Sequence, residues 1–393
     1  MQLTTDNRIL QHVAAFALAW IAACLLFIYV LRPITVSQPQ AAYHMLVLGK
    51  GETATRNLIY LSGALRGGNT IVMLGSSELD TLYSNGVFTP ATFFPAHQLA
   101  PVMTYGRPGF DTLGMYWLLY AMKPHLNAQT RLVIMLSPAW FRTSDMLPSA
   151  FNANTNDNVL LQLYMSDDPR GVMHDYLTEH EADFAYMTAT QRMFLDDPSS
   201  IIDWNLPGYM VDLINARAYA QRVKLNMRLE QFDQVAQFVP YGSTHAQDLP
   251  WNRYEKDARA KETGRMTNNT LMVRNGFYTQ ITKKFPKLPI TYFPKILQPE
   301  PEMNALKLLL QLLQRNKVKA LFIMQTVNPH IYGDHVIFKD VDMRITNLCR
   351  EYGMQYMDMY GMPFEEGLLR DGSHPGELGW EKVDHQMVDY FHL

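Results

Sequence analysis

The chain has 393 residues, of which 48% are hydrophobic and 18% charged, with a formal net charge of −3 and a pI near 6.5. This balance excludes the basic surplus expected of a nucleic-acid binder, and the length accommodates one large or two ordinary domains, so burying a core presents no difficulty. The two cysteines, Cys24 and Cys349, fall in separate predicted helices, so no internal disulfide is expected. So few thiols suit an oxidising or a reducing compartment equally.

Taken in chain order, a short N-terminal tail over residues 1–12 precedes a charge-free apolar run from Val13 to Leu31. That is about the 20 residues needed to span hydrocarbon, and it predicts one transmembrane helix. A cleaved signal peptide is the alternative, although the run is long for one and its basic flank is weak. Ile21-Ala22-Ala23-Cys24 has the form of a lipobox, but the apolar run continues beyond it. Arg8 and Arg32 nearly cancel in the positive-inside count, so the charges leave orientation open. A polar, proline-bearing stalk is expected over residues 32–45 and a catalytic domain over residues 46–393.

Within that domain Asn69–Leu74 reads as a strand, Glu78 onward as a short helix, Gln98–Tyr105 as a second strand and Thr112–Lys123 as an amphipathic helix. Arg131–Leu136 is a continuous apolar run of the kind buried in a parallel sheet, stopped at Ser137-Pro138. From about residue 145 to 300 the period is mostly helical, including Met210–Phe238. The strand and helix rhythm then returns with a helix over Met303–Arg315, a strand over Lys319–Thr326, a helix over Asp340–Tyr352, a strand over Gln355–Asp358 and a closing helix over Leu378–Tyr390. The pattern predicts a three-layer α/β domain with a parallel sheet and a long helical insertion, without internal repeats or low-complexity tracts. Ligands in such sheets bind at the carboxyl ends of the strands.

Two motifs carry chemistry. Val72-Met73-Leu74-Gly75-Ser76-Ser77-Glu78-Leu79 delivers Ser77 to the end of a predicted strand, and Asp371-Gly372-Ser373-His374 supplies an acid and a base three residues apart. A serine hydroxyl becomes a nucleophile when a neutral imidazole takes its proton, and a carboxylate on the other ring nitrogen fixes the tautomer. The plainer readings are a helix cap for Ser76 and Ser77 and a local Asx turn for Asp371. The G-x-S-x-G elbow of α/β-hydrolases is absent, since Leu79 stands two positions after Ser77.

The order and spacing of these residues resemble the SGNH (GDSL-like) hydrolases, with Gly75-Ser76-Ser77 in place of their G-D-S block. Leu74-Gly75-Ser76-Ser77-Glu78-Leu79, Ser137-Pro138-Ala139-Trp140-Phe141, Val327-Asn328-Pro329, and Asp371-Gly372-Ser373-His374 followed by Gly379-Trp380 together resemble the DltD family. The resemblance implies an anchored protein outside the cell membrane that moves D-alanine onto teichoic acid alongside a membrane-bound O-acyltransferase. Catalytic residues would be Ser77, Asp371 and His374. Oxyanion-hole candidates are the backbone N–H groups of Ser77 and Glu78 and that of Gly109, in Pro108-Gly109-Phe110-Asp111. No G-x-N-D block supplies a further donor, and Ser137-Pro138 stands in its place.

Ser137, Trp140 and His330 are further substrate-binding candidates, with Asp334 and His335 beside the last. Glu78, or Asp80 a turn along, could bind the ammonium group of a D-alanyl ester, although a carboxylate in a first helical turn also complements the macrodipole. His174, Glu179, His180 and Glu181 match no zinc spacing, so neither metal nor cofactor is expected. Trp251, Arg253, Tyr254 and Lys256 mix rings and charge as a polyanion-binding face would, and as ordinary packing also would. The expected reaction passes an acyl group from a donor carrier through Ser77 to a hydroxyl of an anionic envelope polymer. The alternatives are an esterase or thioesterase, an O-acetyltransferase acting on a polysaccharide, and a non-catalytic polymer-binding scaffold.

Overall fold

The computed structural model describes residues 5–31, 52–80, 86–142, 146–155, 157–164, 166–195, 249–267, 269–291 and 300–393. The expected stalk and the helix expected over Met210–Phe238 lie outside them. A helix α1 runs from Thr5 to Leu31; over residues 12–25 its side chains are exposed apart from a half-buried Cys24. Among the described residues no helix is long and apolar enough to cross a membrane.

Then follow α2 (Glu52–Gly67), β1 (Ile71–Gly75), α3 (Pro90–Ala96), β2 (Val102–Gly106), α4 (Thr112–Ala121) and β3 (Arg131–Leu136). The insertion contributes α5 (Pro148–Asn154), α6 (Asp157–Tyr164), α7 (Asp167–Glu179), α8 (Ala189–Leu195), α9 (Trp251–Thr263) and α10 (Asn275–Lys284). The chain closes with α11 (Pro301–Arg315), β4 (Lys319–Met324), α12 (Phe338–Glu351), β5 (Gln355–Asp358) and α13 (Glu377–Phe391).

The strands form one parallel sheet in the order β2-β1-β3-β4-β5. Alternate side chains leave opposite faces of a strand, and both faces here are apolar. Val72, Leu74, Ile134, Phe322 and Met324 pack beneath α2, α4, α11 and α12. Ile71, Met73, Val133, Met135 and Ile323 pack beneath α3, α9 and α13. The result is the three-layer α/β architecture that the strand and helix rhythm predicts. Because the sheet is parallel, the chain leaves β1, β2, β3 and β4 on one edge, at Ser76, Arg107, Ser137 and Gln325.

Several boundaries differ from those read in the sequence. No helix is anticipated over α2 or α3; α3 contains Pro90 at its start and Pro95 within it, a composition that reads as a loop. The second strand starts at Val102, because Gln98 adopts a positive φ of 57° and the Leu99 N–H turns back onto Phe94 O at 2.9 Å. In place of a helix from Glu78 there is a single 3-10 turn over Ser77–Leu79. Helix α4, read as amphipathic, is buried on nearly all sides. Its outer face is covered by the insertion, where Trp117 meets Phe151 at 5.5 Å and Tyr176 at 5.2 Å edge-on.

The insertion therefore divides between the two faces of the sheet. Its first part, α5 to α8, joins the core over α4, and α9 joins the core beside α3 and α13. Glu302, at the start of α11, accepts the Thr112 N–H at 3.0 Å and Asp111 accepts the Gly114 N–H at 3.1 Å. Two carboxylates thus satisfy the orphan donors at the start of α4.

Candidate active site

The site begins where β1 ends. The 3-10 turn after it is closed by Leu79 N–H to Ser76 O at 3.2 Å and Asp80 N–H to Ser77 O at 3.1 Å. It sits against the end of β2, where a Cβ on Gly106 would stand 2.7 Å from the carbonyl oxygens of both Gly75 and Ser76. Only glycine permits that approach. Ser76 then joins the two strand ends, its Oγ donating to Arg107 O at 3.1 Å and accepting the Gly109 N–H at 3.1 Å. Ser77 faces the other way, half-buried, with Oγ 2.8 Å from His374 Nε2.

The acid and base share one tight turn. Leu369 and Pro375 form an antiparallel bridge, with Arg370 N–H to His374 O and Gly376 N–H to Leu368 O, both at 2.9 Å. Across its tip Asp371 Oδ1 accepts the N–H groups of Ser373 at 3.0 Å and His374 at 2.9 Å. The local Asx turn is therefore present, and the same carboxylate also reaches the ring: both its oxygens lie 2.9 Å from His374 Nδ1. With Asp371 anionic, Nδ1–H donates to it and Nε2 is left to accept the Ser77 hydroxyl proton.

Burial opposes the charge on Asp371, but the hydrogen bond and charge of His374, with the two backbone N–H groups, outweigh it and hold the carboxyl below its usual range. Burial also disfavours a cationic His374. Asp371, helped by the charge of Glu78 and opposed by Arg370, overcomes that and raises the imidazole above its ordinary value. Both shifts favour an imidazolium between carboxylates, the species formed when the serine gives up its proton.

The turn carrying Asp371 and His374 is braced from distant parts of the chain. Asn328, fully buried, donates its backbone N–H to Gly372 O at 2.9 Å and its side-chain amide to Leu271 O at 2.7 Å. The Arg274 N–H donates to Arg370 O at 2.9 Å, and its guanidinium forks onto the buried Glu262 through Nε and, at 2.8 Å, through Nη2. Glu262 also accepts the Glu377 N–H at 3.0 Å, while Glu377 accepts the Phe88 N–H at 3.1 Å. The insertion thereby holds both ends of the turn.

The remaining expected site residues separate. The Gly109 N–H is engaged by Ser76 Oγ at 3.1 Å, the serine hydroxyl at the middle position of the block. Glu78 does not present its carboxylate to a substrate ammonium. It is 3% exposed and folds back so that Oε1 accepts the Ser76 N–H at 2.7 Å. Burial raises its carboxyl above the usual range, against the Ser76 N–H, its own N–H, the charge of His374 and the neighbouring Gln325 amide. The Ser77 N–H donates to no group of the described residues.

Ser137 lies at the carboxyl end of β3, where its carbonyl accepts the Trp140 N–H at 3.2 Å, and Trp140 packs against the α4-side core. His330 is exposed, with its N–H on Asn328 Oδ1 at 2.9 Å and its ring 5.7 Å from Phe364. His335 is directed at Tyr332 O. His174 faces Asp175, and His180 faces Asp183 and rests on Tyr176. Trp251 stacks on His385 at 4.3 Å, and Tyr254 meets Phe93 edge-on at 5.4 Å; these rings serve packing between α9, α3 and α13.

Residues that sequence reasoning passes over are Glu262, Arg274, Glu377 and Gln325. Nothing local distinguishes the first three from other charged helix residues, since their partners lie up to 115 positions away. Asn328, within Val327-Asn328-Pro329, had a signal as part of a motif but no assigned part.

Comparison with known proteins gives two findings. The model of the family described as DltD protein matches residues 52–392. A match to Protein DltD of Bacillus subtilis (strain 168) is 23% identical over 156 residues, covering 38% of this chain and 40% of that protein. The family match runs through every described strand of the sheet and through the motifs that carry Ser77, Asp371 and His374, and the chain belongs to the DltD protein family.

Proposed function

We propose that this protein is a membrane-anchored serine acyltransferase of the SGNH type, which moves D-alanyl groups through an acyl-Ser77 intermediate onto hydroxyls of a teichoic-acid-type envelope polymer. The observation that carries the chemistry is the chain of contacts from Ser77 Oγ to His374 Nε2 at 2.8 Å and from Nδ1 to Asp371 at 2.9 Å. Membership of the DltD family supports the D-alanyl donor and the polymer acceptor. In this reading residues 13–31 anchor the chain, residues 32–45 form a stalk, and residues 46–393 work on the extracytoplasmic side.

His374 Nε2 takes the Ser77 proton as Oγ bonds to the D-alanyl carbonyl carbon. The imidazolium returns that proton to the departing group of the donor carrier as its bond to the acyl carbon breaks. A polymer hydroxyl then gives its proton to Nε2, attacks the acyl-enzyme, and Oγ leaves with the proton. The Ser77 N–H is the donor for the oxyanion, a contact worth on the order of 3 kcal/mol in serine enzymes. A membrane-bound O-acyltransferase of the same pathway supplies the donor, and the anchor raises the effective concentration of one partner near the other.

The test follows D-alanine incorporation into the polymer of membranes carrying the full-length protein or Ser77→Ala. Loss of incorporation with a normally accumulated, folded variant is the expected result. Undiminished incorporation identifies a scaffold, and release of free D-alanine without polymer as acceptor identifies a hydrolase.

A further inference from the structure

Glu78 follows the nucleophile directly, yet its carboxylate turns away from solvent. It tucks beneath the turn, with Oε1 on the Ser76 N–H at 2.7 Å, in space that exists because residue 75 is glycine: a Cβ there would stand 2.3 Å from Oε1. On the far side is Gln325, at the carboxyl end of β4, 3% exposed, with its Nε2 lacking a hydrogen-bond partner of good geometry. An acid enclosed this way costs stability unless its charge has a use. Ser77, the residue before it, sets its Oγ 2.8 Å from His374 Nε2, which brings the acid within electrostatic reach of the ring.

We propose that Glu78 is a positioning residue for the triad, a second carboxylate that acts on the His374 imidazole from beneath the nucleophile while Asp371 acts on it from the other ring nitrogen. This rests on the reading of Ser77 as nucleophile and His374 as base. Asp371 fixes the ring and its tautomer by hydrogen bonds, whereas Glu78 acts through charge and through the Ser76 backbone. Its anion stabilises the imidazolium in both half-reactions. Gln325, with a neutral amide dipole, favours the Glu78 anion without adding a charge of its own.

The charged groups acting on His374 are Asp371 and Arg370 from its own turn and Glu78 from the nucleophile turn. Arg274 of the insertion acts on Asp371. Removing the Glu78 charge leaves Arg370 less opposed, so the proton affinity of His374 falls. Activity that requires the neutral ring then appears from a lower pH.

The experiment titrates the His374 ring by NMR in the full-length protein, with its signal assigned by loss in His374→Gln. It compares the wild type, Glu78→Gln and Gln325→Leu, and records the pH dependence of fluorophosphonate labelling for each. Glu78→Gln preserves an oxygen for the Ser76 N–H, so a purely structural part for Glu78 leaves the ring midpoint where it was. The proposal expects the midpoint and the acid limb of labelling to move together to lower pH. It is overturned by an unmoved midpoint in folded Glu78→Gln. Should that variant fail to fold, Gln325→Leu decides: it weakens the hold on the Glu78 anion, so a shift in the same direction supports the proposal and an unmoved midpoint overturns it. A shifted midpoint without labelling of the wild type keeps the electrostatic coupling of Glu78 to His374 but removes the nucleophile reading and, with it, the part given to Glu78 in the triad.

Discussion

The turn that carries Ser77 and the turn that carries Asp371 and His374 lie at one edge of the same sheet but are held in different ways. Ser77 is placed by neighbours in sequence and by the adjoining strand: Gly75, Ser76 and Glu78 beside it, and Gly106, Arg107 and Gly109 at the end of β2. Asp371 and His374 form their own turn, but the turn itself is fixed from Asn328 and from Glu262 and Arg274 of the insertion. The first region relies on close backbone approach, the second on buried charge and long-range hydrogen bonds. Damage to the first should act through misplacement of one atom, and damage to the second through loss of a whole connection.

Asp371→Asn severs the two regions where they meet chemically. It removes the charge that fixes the imidazole and should lower the rate of acyl transfer by on the order of 10³-fold or more. Steady-state turnover of an activated D-alanyl ester checks this. Below neutrality the fold should respond as well. The depressed carboxyl of Asp371 contributes stability that is present above its unfolded value and is lost as pH falls through its folded value. Asp371→Asn should therefore flatten the acid side of the stability profile.

Arg274→Met tests the second region alone. It removes the guanidinium that forks onto the fully buried Glu262 and leaves that carboxylate the longer contact with Arg265, Nη1 to Oε2 at 3.8 Å, a loss that should cost about 2 kcal/mol in chemical denaturation. Adding Glu262→Gln should recover much of that loss, since the penalty comes from the weakened pairing of a buried carboxylate. Full additivity of the two substitutions would contradict the brace.

Gly106→Ala tests the first region. Its Cβ would meet two backbone oxygens, so the nucleophile turn must shift, at about 2 kcal/mol of stability. A large loss of labelling at Ser77 with the stability change this modest is the expected signature. Asp384 provides the smallest effect. It is buried on α13 with neither oxygen partnered, and burial, with Glu381 and Glu377 nearby, raises its carboxyl well above the usual range. A raised carboxyl keeps its proton in the folded state after the unfolded chain has lost it, so it lowers stability as pH rises above the unfolded value. Asp384→Leu should therefore stabilise by about 1 kcal/mol near pH 8 and by less near pH 4, with labelling of Ser77 unaltered.

The same division explains what could be read from sequence. Arg131–Leu136 was legible as an apolar run and is found at its expected bounds, because a parallel sheet covered on both faces requires continuous hydrophobicity; Gln355–Asp358, a mostly half-buried edge strand, also lies at its expected bounds. That Ser77, His374 and Asp371 come into contact was legible because each belongs to a short motif whose local turn does most of the placing. For Gly109 and Glu78 the motif gives the residue type but not the partner: Ser76 Oγ takes the Gly109 N–H and Glu78 turns back onto the Ser76 N–H. The amphipathic reading of α4 failed because the covering helices come from the insertion. Glu262 and Arg274 left no local trace, since a salt bridge between helix and loop has no period and no fixed spacing.

The central claim is that Ser77 is a nucleophile activated by His374 and Asp371. Intact-mass spectrometry of the full-length protein after a fluorophosphonate probe tests it most directly, with Ser77→Ala and His374→Ala treated alongside. The account predicts one adduct on Ser77, lost in both variants, forming faster as pH rises through the elevated proton affinity of His374. An unmodified Ser77 in folded wild-type protein, or an adduct that persists in His374→Ala at an undiminished rate, would contradict it.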